Sequence, residues 1–183
     1  ETDMEGAIYV RIDRKRRIPV SMLLRAFGYT TDDEITNLFK SVDTGKNIDT
    51  THYIQETLKK DGTKTQSDAF VEIYKRLRQG DIVVTPENAK AFVEKMFFQF
   101  ESYDLSVVGR YKINVRLHCK SSEEIIKKGI SREERVFKKE DLIETIKKII
   151  TLNNDSEAIP DDIDHLGNRR VRAVGELLES RLR

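Results

Sequence analysis

The stretch SDAFVEIYKRLR, residues 67–78, is strongly amphipathic. Its large apolar side chains recur at positions i, i+3, i+4 and i+7, and they are Phe70, Ile73, Tyr74 and Leu77. This spacing gives an α-helix one continuous apolar face, which is buried against other elements. The stretch therefore predicts a helix and favours a mostly α fold.

Further helices are predicted on both sides of this segment. Thr31 and Glu34 have the spacing of a capping box, and Thr85 followed by Pro86 suits an N-cap and a first helical position. The other predicted helices run from Pro19 to Gly28, over 51–60, over 110–117, and from Lys139 through Ile150 to a close at 153–155. Residues 41–50 predict a polar loop, and the highly charged segment 120–138 is interpreted as a solvated helix or mobile loop, with a binding arm as the alternative.

One β element is predicted near the N-terminus. Residues 7–13 alternate in polarity and are rich in β-formers, so they are interpreted as a strand, and residues 14–17 as the turn that follows. The predicted fold class is α+β, mostly α, with this small β element added to a helical body.

The composition limits the class of protein. Of the 183 residues, 38% are hydrophobic and 36% are charged, and the net charge of +1 favours no particular partner. A single cysteine, Cys119, excludes an internal disulfide and fits a reducing cytoplasm. No apolar run approaches the roughly 18 residues that a membrane span needs. The first residue is not Met and the last residues fall within a predicted helix, so we expect a segment of a longer polypeptide.

A second informative stretch is DDIDHLGNRRVR, residues 161–172, in which carboxylates come first, then a Gly-Asn pair, then arginines. Gly167 tolerates a positive φ and Asn168 suits an N-cap, so the pattern predicts an acidic loop that feeds a helix from Arg169 onward. Arginines in the first turn of a helix oppose its macrodipole. An anionic partner or the neighbouring Asp side chains therefore explain them better than local helix stability does.

Several chemical interpretations of this motif are open. Clustered carboxylates bind hard cations, but the three nearby arginines supply counter-charge without a metal and favour an ordinary solvated turn; the carboxylates are Asp161, Asp162 and Asp164. His165 is interpreted as a hydrogen-bonded structural residue, with a general base as the alternative. His118 and Cys119 are too few ligands for a zinc site.

The densest basic run comprises Arg11, Arg14, Lys15, Arg16 and Arg17. It fits the solvated end of a strand, held by salt bridges. It fits equally a turn that contacts nucleic-acid phosphates without reading sequence.

Three long, irregular blocks occur in order: VRIDRKRRIPVSMLLRAFGYT at 10–30, YDLSVVGRYKINVRL at 103–117 and DDIDHLGNRRVRAVGEL at 161–177. Together they resemble the lobe domain of the bacterial RNA polymerase β subunit, and the resemblance covers nearly the whole chain. Regions 41–50 and 118–138 match less well, and they fall where the family varies in length.

The resemblance implies a lobe domain over 1–155, followed over 156–183 by the acidic and basic loop and the start of a helix that leads to the rest of β. It implies a part of a cytoplasmic, nucleoid-associated nucleotidyltransferase whose Mg²⁺ is held by β′, so no catalytic residue, cofactor or metal is expected in this chain. The implied partners are DNA, the β′, α and ω subunits and a sigma factor, and no membrane.

The resemblance also implies site residues. In the family, the lobe forms one wall of the cleft that holds downstream DNA. The positions matching Ile163, Asp164 and Arg169 lie beside the non-template strand, next to a pocket for an unpaired guanine. The basic turn is then expected to contact DNA phosphates through Arg14, Lys15 and Arg16.

Two other classes of function are alternatives. A helical protein–protein interaction module would use the basic run and the acidic loop to bind a protein without DNA. A stand-alone hydrolase would use the Asp and His side chains of the motif and show metal-dependent turnover.

Overall fold

A computed structural model of the chain describes residues 1–12, 16–45, 52–78, 84–159, 162, 165–167 and 171–182. Most of these residues are helical, and two short strands lie near the N-terminus. The predicted class, α+β and mostly α, is confirmed. The predicted division of the chain at residue 155 stays a prediction.

The β element is a two-stranded antiparallel sheet. Strand β1 spans Tyr9–Arg11 and strand β2 spans Arg17–Pro19. The strand predicted over 7–13 is shorter than expected and ends at Arg11. At its start, the Ile8 N–H donates to Thr57 Oγ1 at 2.9 Å, so the ladder begins one residue later. Arg17 was expected in a turn, but it lies in β2. Residues 13–15 lie outside the described residues.

The helices account for the rest of the regular structure. Their bounds are α1 Val20–Ala26, α2 Asp32–Phe39, α3 Tyr53–Lys60, α4 Gln66–Leu77, α5 Pro86–Phe98, α6 Ser106–Arg116, α7 Ser122–Lys128, α8 Lys139–Asn154 and α9 Val174–Leu182, with a short 3-10 helix at Glu133–Arg135. Helix α7 is exposed except at Ile125, as the solvated-helix interpretation of this region expected.

Side-chain caps fix where several helices begin. The predicted capping box of α2 is present, since the Glu34 N–H donates to Thr31 Oγ1 at 3.2 Å and the Thr31 N–H donates to the Glu34 carboxylate at 3.1 Å. Helix α4 begins one residue before the predicted Ser67, because Thr65 and Asp68 form a second capping box. Local hydrogen bonding thus sets these boundaries.

The hydrophobic core is built around α1, all of whose residues are buried. Helix α4 packs against both α1 and α5, and α8 adds an apolar face of its own. The amphipathic face predicted for 67–78 does line this core, with Phe70 and Ile73 buried and Tyr74 and Leu77 partly buried against it. The pattern that predicted the helix therefore also predicted its buried face.

A buried arginine joins α1 to its neighbours. Arg25 is 4% exposed, and its Nε donates to Asp61 Oδ2 at 3.2 Å while the rest of its guanidinium binds the Asp32 carboxylate and the Thr30 carbonyl. Asp61 also accepts from the Thr63 N–H at 2.9 Å. Because each buried charge has a charged partner and further hydrogen bonds, the cluster fixes α1 against the start of α2 and the end of α3.

Two helices, α6 and α9, begin four or more residues away from their predicted starts. Helix α6 begins at Ser106 instead of 110, because Asp104 Oδ1 accepts the Ser106 N–H at 2.7 Å and satisfies a donor at the helix start. Helix α9 begins at Val174, where the Leu177 N–H donates to the Ala173 carbonyl at 3.2 Å. The prediction of a helix from Arg169 onward is wrong at 171–173, and the late start keeps the Arg172 cation out of the first turn, where it would oppose the macrodipole.

Candidate nucleic-acid interface

The described part of the acidic motif forms a tight turn. The His165 N–H donates to Asp162 Oδ1 at 3.1 Å, and the Gly167 N–H donates to His165 Nδ1 at 3.0 Å. All the motif residues that the structure describes from Asp162 to Gly167 are exposed. Two hydrogen bonds between backbone and side chains therefore shape the turn.

This geometry gives His165 a structural role, as the sequence favoured. Its Nδ1 accepts a hydrogen bond, so the neutral ring carries its proton on Nε2. A Cβ added at Gly167 would lie 3.0 Å from this Nδ1, and the φ of Gly167 is not positive. Gly167 does not use its tolerance of a positive φ here; its lack of a Cβ instead leaves room for the close approach of the imidazole ring.

Helix α6 contacts the turn. Lys112 Nζ donates to the Gly167 carbonyl oxygen at 2.6 Å, across 55 residues of sequence. This bond joins the block 103–117 to the block 161–177. Sequence reasoning did not find Lys112, because no local pattern marks a lysine whose partner is a backbone carbonyl so far along the chain.

Helix α6 is in turn held by a buried ion pair. Arg110 and Asp141 are each 1% exposed, and Arg110 Nη1 lies 2.8 Å from Asp141 Oδ2. Asp141 also accepts from the Lys138 N–H at 3.0 Å, and its Oδ1 lies 2.8 Å from His118 Nε2. The second guanidinium nitrogen of Arg110 donates to the Val136 carbonyl. These interactions fix α6 against the start of α8.

The described residues of the basic run form ion pairs, a cation–π contact and a hydrogen bond to the end of a helix. Arg11 Nε lies 2.7 Å from the Glu1 carboxylate, which lowers the pKa of Glu1, and the Arg17 guanidinium lies 4.5 Å from the centre of the Tyr9 ring. Arg16 donates to the Leu77 carbonyl at the C-terminal end of α4, where a cation is favourable. These interactions fit the salt-bridge interpretation for Arg11 and Arg17.

The predicted DNA contacts have different outcomes. Of the basic turn, Arg16 is described, and its guanidinium donates to the Leu77 carbonyl. Its role toward DNA stays a prediction. The other residues predicted to contact DNA lie outside the described residues, and they are Arg14, Lys15, Ile163, Asp164 and Arg169.

Metal-binding clusters and membrane-spanning helices are both absent from the described part of the chain. In the described ranges, no group of three or more His, Cys, Asp or Glu is placed to hold a metal ion. Asp161 and Asp164 of the motif fall outside those ranges. None of the helices that the structure describes has the length and apolar character that crossing a membrane requires.

Comparison with known proteins extends over the whole chain. The family model described as RNA polymerase Rpb2, domain 2, matches residues 1–172. The chain is 45% identical over 184 positions to the DNA-directed RNA polymerase subunit beta of Dehalococcoides mccartyi. It is 38% identical over 203 positions to the corresponding subunit of Chloroflexus aggregans.

These alignments cover all of this chain but only 14% and 16% of the two relatives, so the chain spans about one-seventh of their length. The family match includes the sheet, helices α1 to α8 and the turn of the acidic motif. The chain therefore belongs to the RNA polymerase Rpb2 domain 2 family.

Proposed function

We propose that this chain is the lobe of the β subunit of a bacterial DNA-directed RNA polymerase. In this role it forms one wall of the DNA cleft and positions the downstream duplex and the non-template strand during RNA synthesis. The observation that carries the proposal is the alignment of the entire chain with subunits named DNA-directed RNA polymerase subunit beta.

The chain contributes structure, not chemistry, to the nucleotidyl transfer. Its partners in this proposal are DNA, the β′, α and ω subunits and a sigma factor, in the bacterial cytoplasm at the nucleoid. The catalytic Mg²⁺ lies on β′, so the lobe needs no cofactor of its own. The lobe acts by holding DNA in place, and phosphate contacts are the usual means of doing so.

The acidic motif is the part of the lobe that we assign to the non-template strand. A carboxylate at Asp164 suits the amino group of a base edge, and a guanidinium at Arg169 suits a guanine edge or a phosphate. The exposed turn at 165–167, which directly precedes the arginines, supports this assignment because it leaves the motif open to a partner. The basic turn at 14–16 would contribute phosphate contacts that do not depend on sequence.

Site-specific cross-linking tests the assignment. A photoreactive amino acid at Leu166, whose side chain is 78% exposed, is introduced into the full subunit and assembled into polymerase on strand-labelled DNA. We expect a cross-link to the non-template strand near the start of the downstream duplex. The matched control is Ile126 on α7, which is 72% exposed and lies outside the three blocks. Cross-links from Leu166 to protein alone would contradict the assignment.

A second candidate function is a helical protein–protein interaction module. Helix α9 favours it, since its apolar residues Leu177, Leu178 and Leu182 are 46%, 58% and 87% exposed. Such residues suit contact with another polypeptide. The same cross-linking experiment separates the two, because this candidate predicts protein adducts at the motif whether or not DNA is present.

A further inference from the structure

We propose that Lys112 is a positioning residue for the acidic motif: it holds the turn at 165–167 against α6 and thereby sets how the motif meets the non-template strand. The inference rests on the proposed function of the motif. It adds a residue from a different block of sequence, and this residue acts on the motif by donating to the backbone carbonyl of Gly167.

The turn needs an anchor outside itself. The hydrogen bonds from His165 to Asp162 and from Gly167 to His165 determine its internal shape. Both lie within the turn, so they do not determine how it is oriented on the domain. The bond from Lys112 Nζ to the Gly167 carbonyl, at 2.6 Å, joins the turn to a helix of the domain body.

Helix α6 is suited to carry such an anchor. Arg110, one half-turn before Lys112, is 1% exposed and is bound to Asp141 at the start of α8. A buried, paired guanidinium restrains the helix that carries it, because moving the helix would leave a charge in the interior without its partner. The lysine stem therefore starts from a fixed point and reaches a carbonyl at the surface.

The chemistry of the interaction explains the residue type. A lysine ammonium is a donor with no acceptor capacity, and its four-carbon stem reaches across from an exposed helical position. A charge-assisted bond to a carbonyl is stronger than one between neutral groups. An arginine would preserve both charge and donors, whereas a methionine would keep the stem and remove the bond.

The test uses three variants of the full subunit, assembled into polymerase: Lys112→Met, Lys112→Arg, and Lys148→Met as a matched control at an exposed lysine of α8. The first readout is amide hydrogen exchange of the peptide covering 162–168. We expect Lys112→Met to raise its exchange rate about fivefold, the equilibrium effect of one net hydrogen bond. Lys112→Arg should restore slow exchange, and Lys148→Met should leave it unchanged.

The second readout is the ratio of complex lifetimes on templates that differ only at the guanine position of the non-template strand. Lys112→Met should reduce this ratio about three- to tenfold, since a misplaced side chain forfeits much of the discrimination that a good base contact provides. Lys112→Arg should retain most of the ratio. A change in overall stability alone would shorten lifetimes on all templates equally and leave the ratio intact.

Asp164→Ala, measured in parallel, separates the two proposals. If Asp164→Ala lowers the ratio and Lys112→Met does not, the positioning role is overturned while the proposed function stands. If neither variant lowers the ratio, the base contact itself is refuted and the positioning role fails with it. Unchanged exchange in Lys112→Met would overturn the anchor directly.

Discussion

At the scale of single residues, Asp141 joins α8 to α6 through a buried ion pair. It is 1% exposed and accepts hydrogen bonds from Arg110 and from the Lys138 N–H. Asp141→Asn removes the charge that compensates Arg110. We expect a loss of about 3 kcal/mol in the free energy of unfolding, the usual cost of breaking a buried ion pair by removing one partner. Urea denaturation of the chain measures it.

An exposed ion pair provides the comparison. Glu72 and Arg76 form an i,i+4 pair on α4 whose side chains are 38% and 40% exposed. Glu72→Gln should cost less than about 1 kcal/mol, because solvent screens the pair. If Asp141→Asn costs no more than Glu72→Gln, the buried pair contributes only as much as a surface pair.

The predicted base contact is the second test at this scale. Asp164→Ala in the intact polymerase should reduce the preference for guanine at one non-template position by about 1–3 kcal/mol, with little change on other sequences. Arg169→Ala should lower affinity broadly as well as discrimination, since it removes a charge that serves both the base and the loop. Complex lifetimes on templates that differ at that base measure both effects.

A double-mutant cycle then shows whether Asp164 and Arg169 act together, because neighbours in one network are not additive. Equal shortening of lifetimes on every template by Asp164→Ala would mean that the carboxylate only shapes the arginine cluster.

At the scale of elements, the capping box of α4 makes a pH-dependent contribution. Hydrogen bonds from Thr65 lower the pKa of Asp68 below its ordinary value of 3.8. A carboxyl group whose pKa is lowered in the folded state stabilises the fold above its unfolded pKa, and the contribution disappears as the pH falls through the folded pKa. The first turn of α4 should therefore fray in acid, starting below about pH 4.

Carboxyl titration by NMR checks this expectation. In Thr65→Ala, the pKa of Asp68 should rise toward its ordinary value, because the largest cause of the shift is the hydrogen bond from the Thr65 side chain. Glu34, whose pKa is lowered by its own capping box with Thr31, serves as an internal control and should not move. A titration of Asp68 that is the same in both proteins would show that Thr65 does not cause the shift.

Local chemistry explains which elements could be predicted. The capping box at Thr31 and the N-cap at Thr85 depend on residues within one turn, so their sequence spacing was sufficient. The early start of α6 depends on Asp104, whose carboxylate is itself held by Arg135, 31 residues away. The start of β1 at Tyr9 depends on Thr57 in α3. Boundaries set by distant partners do not show in a local pattern.

At the scale of the whole molecule, the three sequence blocks have distinct structural parts. The block at 10–30 supplies most of the sheet and the buried α1, the block at 103–117 supplies α6, and the turn of the block at 161–177 binds α6 through Lys112. Hydrophobic periodicity predicted the helices but indicated no function, since helical folds with a small sheet serve many functions. The functional hypothesis came from the resemblance of these blocks to a known family.

The basic turn is expected to act at the scale of the whole polymerase. Replacing Arg14, Lys15 and Arg16 by Ala should weaken retention of the downstream duplex. It should also flatten the dependence of log affinity on log salt by about one unit for each phosphate that is no longer bound. Three exposed lysines outside the blocks, replaced together, control for net charge, and they are Lys120, Lys127 and Lys148.

The hydrogen bond between Arg16 and the Leu77 carbonyl makes a second variant informative. The triple variant also removes this bond to the end of α4, so weaker binding could arise from a shifted turn instead of the absence of phosphate-binding side chains. Arg14→Ala with Lys15→Ala leaves the bond intact. If the double variant flattens the salt slope by about two units, these side chains bind phosphates. A slope equal to that of the lysine control would mean that the run is a solvated strand end held by salt bridges, as Arg11 and Arg17 already are.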